Sequence, residues 1–192
     1  MRRRAEAVVA SYLIGTFPTA ALVGRALGRD VHTEGSGNPG ASNTYRVAGP
    51  RAGAMVLAVD VVKGIIPTIA GRRLGGAPLG ALCGAAATVG HCFPVPDPAK
   101  GGKGVATAAG MVLVVDPRLA LGAAAVWALV AKLARRPSVA SLSVIAGLPL
   151  AAAVRRRPAW EIAVFATVGG LVLARHEDNL RRLLRGEEPA LA

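Results

Sequence analysis

Three polar islands in an otherwise apolar chain hold the residues able to do chemistry. The first is Gly35-Ser36-Gly37-Asn38-Pro39-Gly40-Ala41-Ser42-Asn43-Thr44-Tyr45-Arg46. Glycine-rich backbone of this kind presents N–H groups to an oxyanion, and a guanidinium grips phosphate with two parallel hydrogen bonds. Asn38 and Pro39 read as a helix start, Asn as N-cap and Pro at the first helical position, with Gly49 ending that helix. Asn43 and Arg46, three apart, then share one face. Ser36, Gly37, Asn38, Gly40, Asn43 and Arg46 are the expected anion contacts. A well-capped surface turn would need neither so many glycines nor so many polar groups.

The second island is Gly90-His91-Cys92-Phe93-Pro94 followed by Lys100-Gly101-Gly102-Lys103-Gly104-Val105-Ala106-Thr107. Lys100 and Lys103 flank Gly101-Gly102 at the opening of an expected helix, so backbone amides and two ammonium groups make a second anion site. It is not a Walker loop, because Gly104 stands where Ser or Thr is required. His91, near the end of an apolar run, reads first as a packing residue. The third island, Arg175-His176-Glu177-Asp178-Asn179-Leu180-Arg181-Arg182, carries His176, Asn179 and Arg182 at steps of three, on one helical face. A basic amphipathic tail lying on lipid would explain the arginines but needs neither His nor Asn.

Outside the islands, Asp60 and Lys63 interrupt an apolar run. Charge at membrane depth costs about 2.5–3.5 kcal/mol per residue on insertion scales, and the i,i+3 spacing allows a mutual ion pair. Ser138 and Ser141 open a later run, with helix capping the default for Ser138. Cys83 and Cys92 have no metal or CxxC spacing, and no HExxH, EF-hand loop or carboxylate cluster suggests a metal. Positions five after His32, His91 and His176 are Gly37, Pro96 and Arg181, so the His-plus-Asp signature of soluble-type glycerolipid acyltransferases is absent.

The elements that must position these groups are apolar. Of 192 residues, 53% are hydrophobic and only 18% charged, below the quarter usual in soluble domains. The net charge of +12 is spread in clusters between apolar runs, as in loops facing phospholipid headgroups, and not in one nucleic-acid-binding stripe. The Arg2–Arg4 cluster and the run behind it resemble a signal sequence; the length of the run and the lack of a small-residue cleavage site make it a retained first span. Seven apolar segments can be drawn, near 7–27, 52–71, 77–96, 104–116, 118–134, 138–154 and 158–174. Runs of Ala and Leu favour helices over barrel strands. The expectation is one all-α integral membrane domain over 1–192, about seven transmembrane helices with short motif-bearing loops. An odd number of crossings puts the loops near 28–51, 97–103 and 135–137 and the tail after 174 on one face, with all three islands. Lys and Arg counts favour that face as cytoplasmic, while Arg2–Arg4 argues the other way.

With these motifs in view, the chain resembles the bacterial acyl-phosphate:glycerol-3-phosphate acyltransferase family. The resemblance rests on GSGNPGASNTYR at 35–46, DVVKG at 60–64, GHCFPV at 90–95, KGGKGVAT at 100–107, SVAS at 138–141 and RHEDNLRRLLRGEE at 175–188, and it runs from Tyr12 to Glu188. The chain departs from the family pattern at Pro96-Asp97-Pro98-Ala99, which lacks aromatic character, and at Glu177, where a basic residue is common. The resemblance implies a seven-helix enzyme of the bacterial plasma membrane, its active site facing the cytoplasm. It would transfer an acyl group from long-chain acyl phosphate to the 1-hydroxyl of glycerol 3-phosphate, without a cofactor and without acyl-CoA or acyl carrier protein. On that footing Ser36, Lys100, Lys103 and Ser141 are expected to hold the acyl phosphate. Arg46, Asn43, His176 and Asn179 would orient glycerol 3-phosphate, and the proton would go to the substrate's own phosphate or to His176. Ser36, Arg46, Lys103 and His176 are the expected catalytic residues. Gly37, Asn38, Gly40, Asn43, Lys100, Gly101, Gly102, Ser138, Ser141, Asn179 and Arg182 are the expected binding residues, with Asp60, Lys63, His91 and Glu188 in support. No nucleic acid is expected as partner, and a monomer or weak oligomer is expected. The competing class is a small transporter of a phosphorylated metabolite, which would use the same basic pockets; against it stand the lack of an internal repeat and the clustering of polar groups at one face.

Overall fold

A computed structural model of the chain describes residues 1–190 and is helical throughout. The helices are α1 (Arg2–Gly15), α2 (Thr19–Ala26), α3 (Ala41–Ala48), α4 (Pro50–Cys92), α5 (Val105–Val115), α6 (Pro117–Ala134), α7 (Pro137–Val154), α8 (Ala159–Ala174) and α9 (Glu177–Leu184). Proline sets several starts: Pro50, Pro117 and Pro137 each stand in the first turn, where the missing N–H removes no helical bond. Asp116 caps α6, its carboxylate accepting from the amides of Arg118 and Leu119 at 3.0 and 3.1 Å.

Three expected segments differ in detail. The first apolar run is broken at Phe17-Pro18 into α1 and α2. The second and third are joined in one 43-residue element, interrupted only where Gly75 and Gly76 leave helical geometry, Gly76 at φ +80°. That conformation suits glycine and lets the chain fold back in two residues. The arms 50–74 and 77–92 then pack closely: a Cβ on Gly80 would lie 2.7 Å from the Thr68 carbonyl oxygen. Two residue pairs bring α5 closer still to the first arm, a Cβ on Gly64 falling 2.0 Å from Thr107 O and one on Gly110 2.1 Å from Val61 O. Small residues allow such backbone approach where lipid offers no hydrophobic drive.

By length and composition four stretches are able to cross a bilayer, Arg2–Ala26, Pro50–Cys92, Pro117–Ala134 and Pro137–Val154, while α5 and α8 are shorter apolar helices. Along α6 only Leu119 is buried, and Leu121, Leu133, Leu150 and Val154 are exposed apolar side chains. Such a surface fits lipid better than water. The apolar core, Met111, Val112, Leu119, Ala152, Phe165, Val168 and Val172, ties α5 to α8. One end of the bundle is closed by Asp116, Arg157 and Glu161, with Arg157 Nε 3.2 Å from Asp116 and 2.9 Å from Glu161. The three polar islands gather at the other end.

Candidate functional site

The first island folds as a turn whose geometry depends on Asn43. Helix α3 starts at Ala41 with Gly40 as N-cap, two residues later than the Asn38-Pro39 start expected from sequence. Gly40 is extended, and its amide donates to the Asn38 carbonyl at 2.9 Å, which keeps Asn38 and Pro39 in the turn. Gly49 ends α3, as expected. Asn43 is buried; its Nδ2 donates to the carbonyls of Val31 and Glu34, both at 3.0 Å, and its Oδ1 accepts from the Ser36 amide at 2.8 Å. Asn43, an expected ligand contact, lines the cavity of the site and also uses its amide to shape the loop. Gly35 and Gly37, at φ +63° and +68°, give the loop its reversals.

The second island is held by a clamp. The Gly102 amide donates to the His91 carbonyl at 3.0 Å, and the carbonyls of Gly101 and Gly102 accept from Arg175 Nη2 at 2.8 Å and Nε at 3.1 Å. The Arg175 guanidinium also lies 5.2 Å from the centre of the Phe93 ring. A Cβ on Gly101 would meet Cys92 O at 1.9 Å, so a side chain there cannot be seated without moving backbone. Behind the loop, Lys63 Nζ stands 2.7 Å from Asp60 Oδ1, donates to Phe17 O at 2.9 Å and lies 3.3 Å from His91 Nδ1. The ion pair expected for Asp60 and Lys63 is present, and His91 packs on it. Arg175→Met is expected to lower kcat/KM about 10- to 100-fold by letting the loop and Lys103 drift. Arg175→Lys should restore part of that loss, with thermal stability in detergent unchanged in both variants.

The third island closes the site through Glu188. Its carboxylate accepts from Ser138 Oγ at 2.7 Å, Asn179 Nδ2 at 2.6 Å and Arg182 Nε at 2.8 Å. Burial pushes this carboxyl up, but the three hydrogen bonds and the Arg182 charge outweigh it and hold the pKa below the ordinary glutamate value. Arg136 Nε donates to Glu188 O at 3.1 Å, and Arg46 Nη2 donates to Pro189 O at 3.3 Å, so the tail is pinned from both sides. Ser138, in which helix capping was the default, sends its hydroxyl to Glu188 instead, because α7 starts with Pro137 and its N-cap is Arg136.

These segments surround a cavity of about 590 Å³. Ser36, Asn38, Gly40, Arg46, Lys103, Ser138, Ser141, His176, Asn179, Arg182 and Glu188 line its polar end, and Met111, Trp127, Ile145, Leu148 and Phe165 its apolar end. Trp127 Nε1 donates to Ser141 Oγ at 3.0 Å, where the two ends meet. Arg46 Nε and Asn179 Oδ1 are buried without a hydrogen-bond partner among the described residues. A buried donor and a buried acceptor left open in this way mark places for ligand atoms. Lys103 is held down to about 8, first by burial, with Arg182 and Arg46 adding to the effect against the pull of Glu188. His176 is pushed down to about 4, chiefly by burial, and its Nδ1 lies 2.7 Å from the Val172 carbonyl.

Not every expected residue reaches this cavity. Gly37 and Gly101 do not line it, and Lys100, Gly102 and Lys63 line a second, smaller cavity. Lys100 is exposed and pairs with Asp97 at 3.3 Å, the one-turn helix Pro98–Lys100 turning it away from Lys103. Asp60 and His91 form the wall between the two cavities. Sequence reasoning passed over Arg136, Arg175, Trp127 and Pro189; a cation directly before His176 was the only available hint of a clamp.

An apolar helical bundle with a cationic, glycine-built cavity at one end, continuing into an apolar half, defines a membrane protein that handles anionic amphiphiles. The family model for glycerol-3-phosphate acyltransferase matches residues 6–186. Among curated relatives, the glycerol-3-phosphate acyltransferase of Rubrobacter xylanophilus is 42% identical over 94% of this chain and 92% of its own, and that of Syntrophotalea carbinolica 41% identical over 94% of each. The crystal structure of the integral membrane enzyme PlsY in its glycerol 3-phosphate form superposes with a TM-score of 0.94 at 33% identity, covering 99% of this chain and 96% of that one. Its lysophosphatidic acid form gives 0.90 at 32% identity, covering 98% and 95%. The chain belongs to the glycerol-3-phosphate acyltransferase family.

Proposed function

We propose that this protein transfers a fatty acyl group from acyl phosphate to the 1-hydroxyl of glycerol 3-phosphate, releasing 1-acyl-glycerol 3-phosphate and inorganic phosphate. The observation that carries the reading is the single cavity joining a cationic end, with Arg46 Nε and Asn179 Oδ1 open, to an apolar end able to take an alkyl chain. Arg46 and Arg182 face the phosphate of glycerol 3-phosphate, and Asn179 Oδ1 accepts from a glycerol hydroxyl. Ser36, Asn38 and Gly40 line the side for the acyl phosphate, with Lys103 between the two anions. Glu188 sets the orientation: because Asn179 Nδ2 donates to it, Oδ1 is left for the substrate.

The hydroxyl oxygen attacks the acyl carbonyl carbon, forming a tetrahedral intermediate. That intermediate collapses by breaking the bond to the phosphate oxygen, which leaves with the electron pair. The hydroxyl proton passes to His176 Nε2 and then to phosphate, or directly to phosphate. Acyl phosphate carries its own leaving group, so positioning two anions and neutralising their repulsion supplies most of the rate.

In this reading α1 with α2, the two arms of α4, and α5 to α8 make seven passes, and α5, at 11 residues, is the shortest. At 1.5 Å per residue it spans about 16 Å and does not reach across a core of about 30 Å unaided. The cavity faces the cytoplasmic side of a bacterial plasma membrane, the end of the bundle richer in Lys and Arg. The protein acts as a monomer or weak oligomer.

The test is purified protein given palmitoyl phosphate with and without glycerol 3-phosphate. Phosphate release only with both substrates, together with formation of lysophosphatidic acid, is the expected result. No turnover with acyl phosphates of any chain length would overturn the reading. A transporter would move glycerol 3-phosphate across vesicles without consuming acyl phosphate.

A further inference from the structure

The second cavity, about 370 Å³, lies behind the Gly101-Gly102 loop, between the α1–α2 break and residues 94–102. Its charges do not cancel. Lys63 is paired with Asp60 at 2.7 Å and Lys100 with Asp97 at 3.3 Å, while Arg25 is in no ion pair among the described residues. His32 is the further titratable group near that rim, and His91, stacked on Lys63, stands at the floor.

The first turn of α2 forms one wall. Thr19 and Ala20 are buried there, and the opening amides of a helix point outward with partial positive charge. Thr19 is one of the residues lining the cavity, and its Oγ1 is buried without a hydrogen-bond partner among the described residues. The Thr19 amide is taken by Phe17 O at 2.9 Å and the Leu22 amide by Pro18 O at 3.0 Å, which leaves the Ala20 and Ala21 amides of the first turn, together with the open Thr19 hydroxyl and the Arg25 guanidinium, to receive a phosphate oxygen. Apart from Thr16, whose hydroxyl donates to Leu13 O at 2.7 Å, the rest of the lining is apolar, and Leu13, Phe17, Leu22 and Val95 continue it onto the exposed surface of the bundle. A free anion would leave those side chains uncovered; an acyl chain would cover them.

We propose that this cavity is a second lipid site, holding the phosphate of an acyl-chain-bearing phospholipid between Thr19, the α2 amides and Arg25. Its chain runs along Leu13, Phe17 and Leu22. The site is separated from the first cavity by Asp60 and His91, so a lipid bound here rests against the residues that support the Lys103 loop.

The test counts bound lipid by native mass spectrometry of the detergent-solubilised protein, with oleoyl lysophosphatidate as probe. The unmodified protein is expected to bind two molecules saturably, and Thr19→Val/Arg25→Gln to bind one while keeping its acyl-transfer rate. Arg25→Gln alone, at an exposed position that cannot disturb folding, should weaken the second molecule about tenfold. Inorganic phosphate at matched concentration should not displace it. A single bound lipid on the unmodified protein, two on the double variant, no weakening in Arg25→Gln, or equal displacement by inorganic phosphate would each overturn the proposal. Binding is read without turnover, so failure of the acyl-transfer assay leaves this result separately readable.

Discussion

Lys103→Met should lower kcat/KM about a thousandfold, the upper range for losing one preorganised donor to a developing negative charge. Met keeps most of the side-chain volume, so the Gly101–Gly104 turn and its clamp by Arg175 stay in place. What is lost is the one ammonium in the polar end of the cavity, between Arg46, Arg182 and Glu188. The same group predicts the pH dependence. With its pKa down at about 8, Lys103 is charged below that pH and neutral above it. Activity that needs the ammonium is therefore present at neutral pH and is lost as pH rises through about 8. kcat/KM reports the free enzyme and should show this basic limb, while kcat reports the complex, in which two bound phosphates raise the lysine pKa and push the limb upward. Steady-state profiles from pH 6 to 10 check both, and coincident limbs in the two parameters would mean that Lys103 does not face the substrates.

His176→Asn should cut kcat by about 10²- to 10⁴-fold, the usual range for a positioned general base, while the Kd for glycerol 3-phosphate by calorimetry changes only a few-fold. The reason lies in the tautomer. A carbonyl oxygen only accepts, so the 2.7 Å contact to Val172 requires the proton on Nδ1 and leaves the lone pair on Nε2. Burial, helped by the Lys103 charge, keeps the ring neutral down to about pH 4. The acid limb of the profile, if one is seen near pH 6, then belongs to the second ionisation of the substrate phosphate, not to the histidine. Equal losses in kcat and in binding would assign His176 to positioning and give the proton to the substrate phosphate.

The gathering of three islands at one end of a helical bundle was legible in the sequence, because their polarity stands out against long apolar runs. His176, Asn179 and Arg182 share a face for the reason their spacing gave. The errors arose where tertiary contacts override local preference. Asn38-Pro39 has the composition of a helix start, but the chain stays in a turn until Gly40. Asn43 lines the cavity, but its second task could not be read locally: the carbonyls of Val31 and Glu34, from a different part of the loop, take its Nδ2 hydrogens. Ser138 and Glu188 are fifty positions apart, and no local pattern joins them. Lys100 and Lys103 look equivalent in a Lys-Gly-Gly-Lys run; a single turn of helix ending at Lys100 sends them into different cavities.

The flank of the larger cavity decides the fate of what is made there. Leu57 on α4 and Ala124 on α6 both line it and are both exposed. A chain of about sixteen carbons leaving through water would cost ~12 kcal/mol at ~0.8 kcal/mol per methylene. An exit sideways between α4 and α6 would avoid that cost. Lysophosphatidic acid formed here would slide sideways into the leaflet, its headgroup already at the correct depth and its chain never wetted. The next enzyme to act on it would then meet its substrate by diffusion in two dimensions, with no carrier protein in between.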